Sequence, residues 1–94
     1  IRVPIEVKLS CNREVKTAME TQLVDRYMPQ LGATQGVYVV VWMSVPDVRN
    51  LEASHKPKWA SLDMARTELD VQASNLSGAE KGSVRVVVVD AALR

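Results

Sequence analysis

Three stretches of the chain carry the apolar patterns of β-strands. From residue 3 to residue 9, apolar side chains occupy every second position, which predicts a strand with one apolar face and one mixed face. Residues 37–43, with the sequence VYVVVWM, are apolar throughout, which is typical of a strand that is covered on both faces. Residues 84–89 are rich in valine and predict the last strand.

Two helices are predicted between the strands. The first runs from about residue 13 to residue 28, where Pro29 disfavours its continuation and Gly32 completes the stop. The second begins between residues 58 and 62 and ends at a glycine. Their apolar stripes contain Val15, Ala18, Met19, Leu23 and Tyr27 in the first helix and Trp59, Leu62, Ala65, Leu69, Ala73 and Leu76 in the second.

The order is therefore β-α-β-α-β, with a polar loop over residues 45–57. Strands that alternate with helices indicate an α/β fold with right-handed crossovers and a largely parallel sheet. The length of 94 residues fits one domain, residues 1–94. Because three strands make a thin sheet and the chain begins inside a strand-like pattern without methionine, we expect a domain of a longer protein that lacks its N-terminal helix and strands.

Composition excludes several classes of function. With 47% hydrophobic and 24% charged residues and a net charge of +1, the chain has an ordinary soluble composition, which argues against a polybasic nucleic-acid binder. The single cysteine, Cys11, forms no internal disulfide, which favours a reducing, cytoplasmic location, and we interpret this thiol as inert. Since every apolar run is too short to cross a bilayer, no membrane partner is expected.

The most informative segment for chemistry is Glu6-Val7-Lys8 in the first strand. Alternation places Glu6 and Lys8 on one face, about 6.5 Å apart along the strand. Carboxylate oxygens are ligands for a divalent cation such as Mg²⁺, and a nearby ammonium can hold a phosphate or orient an attacking water. The competing interpretation is a surface ion pair, which contributes about 0–1 kcal/mol.

Gln22 lies on the apolar stripe of the first helix, together with Val15 and Met19. A helix that crosses over a sheet packs this stripe on the strands, so the amide of Gln22 would face inward and need hydrogen-bond partners. The mixed face of the first strand can supply them. Alternatively, Gln22 lies at the margin of the helix and reaches water.

Four segments in this order, VPIEVKLS, AMETQLVDRY, GVYVVVWM and VRVVVVD, resemble the C-terminal half of PD-(D/E)XK restriction-endonuclease-like domains. The likeness is to domains found at the ends of larger bacterial proteins, and it covers most of the chain. It implies a three-layer fold around a mixed or parallel sheet, and a nuclease that cleaves DNA with Mg²⁺ or Mn²⁺.

The resemblance also implies roles for individual residues. Glu6 resembles the metal-binding acid, with the backbone carbonyl of Val7 as a further metal ligand. Lys8 resembles the lysine of the motif. Gln22 resembles the helix glutamine that supports the site in the helicase-associated exonuclease branch. That branch usually has a tyrosine four residues after the glutamine, whereas Tyr27 lies five residues after it and would sit about 140° away on an α-helix, so Tyr27 is expected in the core.

A larger departure is that the family's first metal-binding aspartate precedes the E-x-K strand, and this chain has no such strand. The missing acid then comes from a longer protein or a second chain, or the domain is an inactive module that binds nucleic acid or protein. We expect pairing with the missing N-terminal half or a homodimer through the first strand. Candidate phosphate contacts are Arg13, Lys16, Lys56 and Lys58.

Overall fold

The computed structural model describes residues 3–43, 57–78 and 82–91. The elements in chain order are β1 (Ile5–Leu9), a π-helix (Met19–Tyr27), α1 (Met28–Leu31), β2 (Gln35–Trp42), α2 (Leu62–Leu76) and β3 (Ser83–Asp90). The predicted α/β class and the alternation of strands and helices are confirmed. Almost all of the loop expected over residues 45–57, including Lys56, lies outside the described residues.

The three strands form one parallel sheet in the order β1-β2-β3. In the central register Val7 lies opposite Val39, which lies opposite Val87. Because each connection moves one strand in the same direction, right-handed crossovers place both helical segments on the same side of the sheet. The sheet therefore has a covered face, which packs against the helices, and an open face, which no described helix covers.

The hydrophobic core lies between the covered face and the helices. Tyr38 of β2 is fully buried there, with Leu23 of the π-helix and Leu69 of α2. Gly36 lets the first helical segment approach β2 closely, since a Cβ at this position would lie only 2.9 Å from Met28 Sδ. The core thus depends on one layer of helices on one face of the sheet.

This arrangement corrects the expectation that β2 is covered on both faces. Along the strand buried residues alternate with half-buried ones: Tyr38 and Val40 face the helices, whereas Val37, Val39 and Val41 lie on the open face. The apolar run in the sequence is real, but within the described residues only its even-numbered positions are buried by helices.

The beginning of the first helix also differs from the prediction. Residues 13–17 form turns rather than helix, and the side chain of Asn12 accepts a hydrogen bond of 2.8 Å from the N–H of Glu14. Such local bonds compete with helical bonding. Helical structure begins near Met19, as a π-helix in which the N–H of Met28 donates to the carbonyl of Leu23, five residues earlier.

Pro29 does not end the helix, contrary to expectation. α1 follows the π-helix without a break and runs through Pro29, its second residue, to Leu31. The chain then leaves the helix at Gly32, whose φ of 62° lies in the left-handed region that favours glycine. The predicted stop at Gly32 is thus confirmed.

The second helix begins at Leu62, within the range predicted for it. Its N-cap is Ser61, whose side-chain oxygen accepts a hydrogen bond from the N–H of Met64. The predicted apolar stripe faces the sheet, with Ala65 and Leu69 fully buried. No helix in the described part of the chain has the length and apolarity that a membrane span requires.

Candidate functional site

Glu6 and Lys8 project from the same side of β1, and Val7 projects from the other side, as the alternation predicted. The side of Glu6 and Lys8 is the covered face, and the side of Val7 is the open face. Their side chains are only 14% and 17% exposed, and Lys8 Nζ lies 3.4 Å from Glu6 Oε1. The competing interpretation as an exposed surface pair therefore does not fit their burial. This is a largely buried ion pair beneath the first helical segment.

Glu14 is a member of this cluster that sequence reasoning missed. Its Oε2 lies 3.9 Å from Lys8 Nζ and accepts a hydrogen bond of 2.7 Å from the amide nitrogen of Gln22. Because Glu14 lies in the turns before the π-helix, helical spacing carries no signal for its contact with Gln22.

Gln22 is half-buried and linked to the ion pair through Glu14. Its predicted position on the helix side nearest Glu6 and Lys8 is confirmed, although its recorded bond is to Glu14 rather than to the strand itself. The amide therefore restrains the carboxylate that, together with Glu6, neutralises Lys8. The hydrogen bond from Gln22 thus positions Glu14 beside Lys8, which has Glu6 as its other acidic neighbour.

Tyr38 closes the cluster on the side of the sheet. It is the neighbour of Glu6 across β1 and β2, and its hydroxyl donates a hydrogen bond of 2.6 Å to the carbonyl of Val15. Burial raises the pKa of Tyr38 well above its usual value, and the negative charges of Glu6 and Glu14 raise it further. Tyr38 is thus a neutral donor over the ordinary pH range.

The backbone of β1 directs the carbonyl of Val7 away from β2. The N–H of Val37 donates to the carbonyl of Pro4, and the N–H of Ser10 donates to the carbonyl of Val41. Since backbone polar groups alternate in direction along a strand, the even-numbered residues of β1 bond to β2. The Val7 carbonyl consequently points toward the edge of β1 that no described strand pairs.

Two of the candidate phosphate contacts come together at the carboxyl end of β1. Arg13 and Lys58 line an open hollow of about 340 Å³ with Leu9, Cys11 and Asn12. The backbone N–H of Lys58 donates to the carbonyl of Ser10, which fixes the segment before α2 at this end of the sheet. Neither member of the buried ion pair lines this hollow, so it is a separate basic surface.

Lys16 is engaged elsewhere. Its Nζ lies 5.4 Å from the centroid of the Trp59 ring and 4.0 Å from Glu68 Oε1, and Trp59 Nε1 donates to Glu68 Oε2. These contacts join the turns before the π-helix to α2. Lys56 lies outside the described residues.

Tyr27 is half-buried and is not part of the buried core, which corrects the expectation for this residue. The angle of about 140° assumed an α-helix. In the π-helix the hydrogen-bonded turn closes after five residues, so Gln22 and Tyr27 lie on nearly the same side. The Arg26 guanidinium lies 5.7 Å from the Tyr27 ring centroid.

Hard oxygen donors for a cation are present but few. Glu6 offers a carboxylate and Val7 a backbone carbonyl, whereas Mg²⁺ requires near-octahedral oxygen ligation. Among residues 3–43, 57–78 and 82–91, no group of three or more His, Cys, Asp or Glu side chains is placed to hold a metal ion. The described residues alone therefore do not provide the ligands of a magnesium site, and any further ligands would have to come from water, substrate or another segment.

Residues 1–45 match a family model described as a domain of unknown function (DUF8371). The matched segment excludes α2 and β3 and includes the residues of the ion-pair cluster, namely Glu6, Lys8, Glu14, Gln22 and Tyr38. No curated protein and no solved structure matches the chain.

Proposed function

We propose that the cluster around Glu6 and Lys8 is one half of the site of a metal-dependent nuclease of the PD-(D/E)XK type, which hydrolyses phosphodiester bonds in DNA. In this proposal the sheet belongs to a restriction-endonuclease-like fold whose first metal-binding acid comes from outside the described residues. The observation that carries the proposal is the burial of Glu6 and Lys8 beneath a helix while Val7 is left exposed.

That arrangement is costly for folding alone, because two charged groups lose most of their hydration. Residues whose burial lowers the stability of the fold occur more often at functional sites than elsewhere. Moreover, Lys8 Nζ lies 3.4 Å and 3.9 Å from its two acidic neighbours, beyond the 2.7–2.9 Å that is typical of strong charge-assisted hydrogen bonds. These two contacts therefore leave hydrogen-bond donors of the ammonium for a phosphate that reaches it.

In the proposed mechanism, Glu6 and the Val7 carbonyl would hold the cation. When bound, Mg²⁺ or Mn²⁺ polarises the phosphoryl oxygen and lowers the pKa of a coordinated water. Lys8 holds the scissile phosphate or orients the attacking water. Gln22 keeps Glu14 beside Lys8, and Arg13 and Lys58 offer positive charge to the DNA backbone at the carboxyl end of the sheet.

A second candidate is an inactive module of the same fold that binds nucleic acid or protein. It is favoured by the small number of metal donors within the described residues. In that case Lys8, Arg13 and Lys58 serve as static phosphate contacts, and binding does not require a divalent cation.

The test is divalent-dependent nicking of plasmid DNA by the longest natural form of the protein that contains residues 1–94. Glu6→Gln removes a negative metal ligand and is expected to abolish cleavage, whereas the control Glu20→Gln, on an exposed residue of the π-helix, cuts at the wild-type rate. Lys8→Ala is expected to raise the barrier by about 2–4 kcal/mol, as loss of one electrostatic stabiliser does. Its control is Arg66→Ala, on the exposed side of α2.

The 94-residue chain alone is expected to cleave weakly or not at all, since two donors hold a hard cation poorly. If Glu6→Gln in the longest form cuts as fast as wild type, the nuclease proposal is wrong. Metal-independent DNA binding that is lost in Lys8→Ala would then favour the binding module.

A further inference from the structure

The open face of the sheet is a regular apolar surface. Its three rows of in-register residues are Ile5, Val37 and Arg85; Val7, Val39 and Val87; and Leu9, Val41 and Val89. Eight of these nine side chains are aliphatic. The outer strands are the most exposed, with Ile5 at 62%, Val7 at 54% and Val89 at 44%.

A surface of this kind is unusual for a protein in water. We place its exposed apolar area on the order of 500 Å², near the upper end of what soluble monomers expose, and patches of this size are commonly interaction sites. Parallel sheets, in addition, are found almost always with both faces covered. The described helices all pack on the other side, so they do not provide the cover.

We propose that a second copy of this chain packs on the open face. A two-fold dimer pairs a surface with itself, and therefore requires a surface that is complementary to its own copy. A nearly uncharged aliphatic face meets this requirement, whereas it offers no charge pattern by which a different protein would be selected.

The only charge among the nine positions is Arg85, at one corner of the face. With a two-fold axis along or across the strands, the two Arg85 side chains lie at different corners, roughly 10–13 Å apart by strand spacing and rise. Repulsion between them is then largely screened at physiological salt.

The area is compatible with a stable dimer. Specific interfaces bury about 800 Å² from each partner, of which a little over half is apolar. An apolar centre on the order of 500 Å² with a polar rim reaches that size. Glu6 and Lys8 project to the opposite face of the sheet, so the dimer interface does not involve them and the dimer does not depend on the proposed nuclease function.

The experiment is sedimentation velocity of the 94-residue chain and its variants over a series of concentrations, with circular dichroism to verify folding. Wild type is expected to be dimeric. Val7→Lys and Val87→Lys place a charge in the central row on either outer strand and are expected to give folded monomers. The control is Val71→Lys on α2, where the valine is 56% exposed, close to the exposure of Val7, and it is expected to remain dimeric.

A second measurement does not depend on the variants. In a sample mixed from labelled and unlabelled wild-type chains, intermolecular NOEs are expected from the methyl groups of Val7, Val39 and Val87, and not from those of Val71. A wild-type chain that stays monomeric at about 1 mM, a concentration that detects association as weak as about −4 kcal/mol, overturns the proposal and assigns the face to a different segment or protein. A dimer that survives both lysine variants, or whose NOEs map to other surfaces, overturns it as well.

Discussion

The two faces of the sheet receive side chains of different polarity from β1. On the covered face β1 contributes Glu6 and Lys8, and on the open face it contributes Ile5, Val7 and Leu9. Shifting β1 by one residue would exchange these two sets and bury the aliphatic side chains against the helices. Burial within the described residues therefore does not explain the register of β1. The difference indicates that burial against the described helices is not the only constraint on either face. We propose that the open face is constrained by a partner that packs on it, and the covered face by the chemistry of the proposed site.

The largest expected effect is a difference in stability between variants of two neighbouring residues of β2 that lie on opposite faces of the sheet. Val40 is fully buried on the covered face, so Val40→Ala is expected to lower the free energy of unfolding by about 2–3 kcal/mol through lost burial and a cavity. Val39→Ala, on the open face, is expected to cost less than about 1 kcal/mol in dilute solution. Urea denaturation of both variants measures the difference, and equal losses would mean that the open face is packed even in the monomer.

An intermediate effect tests whether the charged pair stabilises the fold. Glu6→Gln or Lys8→Met alone leaves a largely buried charge without its nearest partner, which is expected to cost about 1–3 kcal/mol. The double variant removes both charges and is expected to be at least as stable as wild type.

The readout is the coupling energy from thermal or urea unfolding of the four proteins in the cycle. If the double variant is less stable than wild type, the pair is present for stability, and the argument for function from its burial is lost.

The smallest effect concerns pH and Tyr38. Its folded pKa is raised above the unfolded value of about 10, so the stability linked to its neutral form is fully present below about pH 10 and is lost as the pH rises beyond it. The expected loss is at most about 1.4 kcal/mol for each pH unit above that point. Tyr38→Phe has no ionisable hydroxyl and is expected to be less stable at neutral pH, by about 1 kcal/mol, but to lack this alkaline slope.

Unfolding measured in urea from pH 8 to pH 11 separates the two proteins. Tyr27→Phe is the matched control, because this tyrosine is half-buried and outside the core. A wild-type slope that persists unchanged in Tyr38→Phe would assign the titration to other groups.

Much of the fold could be predicted from the sequence because the sequence patterns that specify it are local. The alternation around Glu6 and Lys8, the apolar stripe of α2 and the glycine at position 32 each act within a few residues. These features predicted the element order and that the two charged residues share one face of β1. They also predicted the position of Gln22 on the helix near that pair.

The missed features depend on structure at longer range or on competing local bonds. The apolar run in β2 indicated two covered faces, but the strand order places the described helices on one of them. Glu14 joins the site through turns that helical periodicity does not describe. The hydroxyls of Thr17 and Thr21 donate to carbonyls three and four residues earlier, and such bonds alter helical hydrogen bonding without a simple sequence pattern.

The π-helix has a consequence for tracing the ancestry of the chain. Five residues separate Gln22 from Tyr27, and the wide turn brings them to nearly the same side. On an α-helix a pair four residues apart has a similar relation. An insertion or deletion of one residue between these two positions can therefore be absorbed by changing the width of the turn, with the two side chains kept in place. An alignment that penalises a gap inside this helix would hide relatives that differ only in that way.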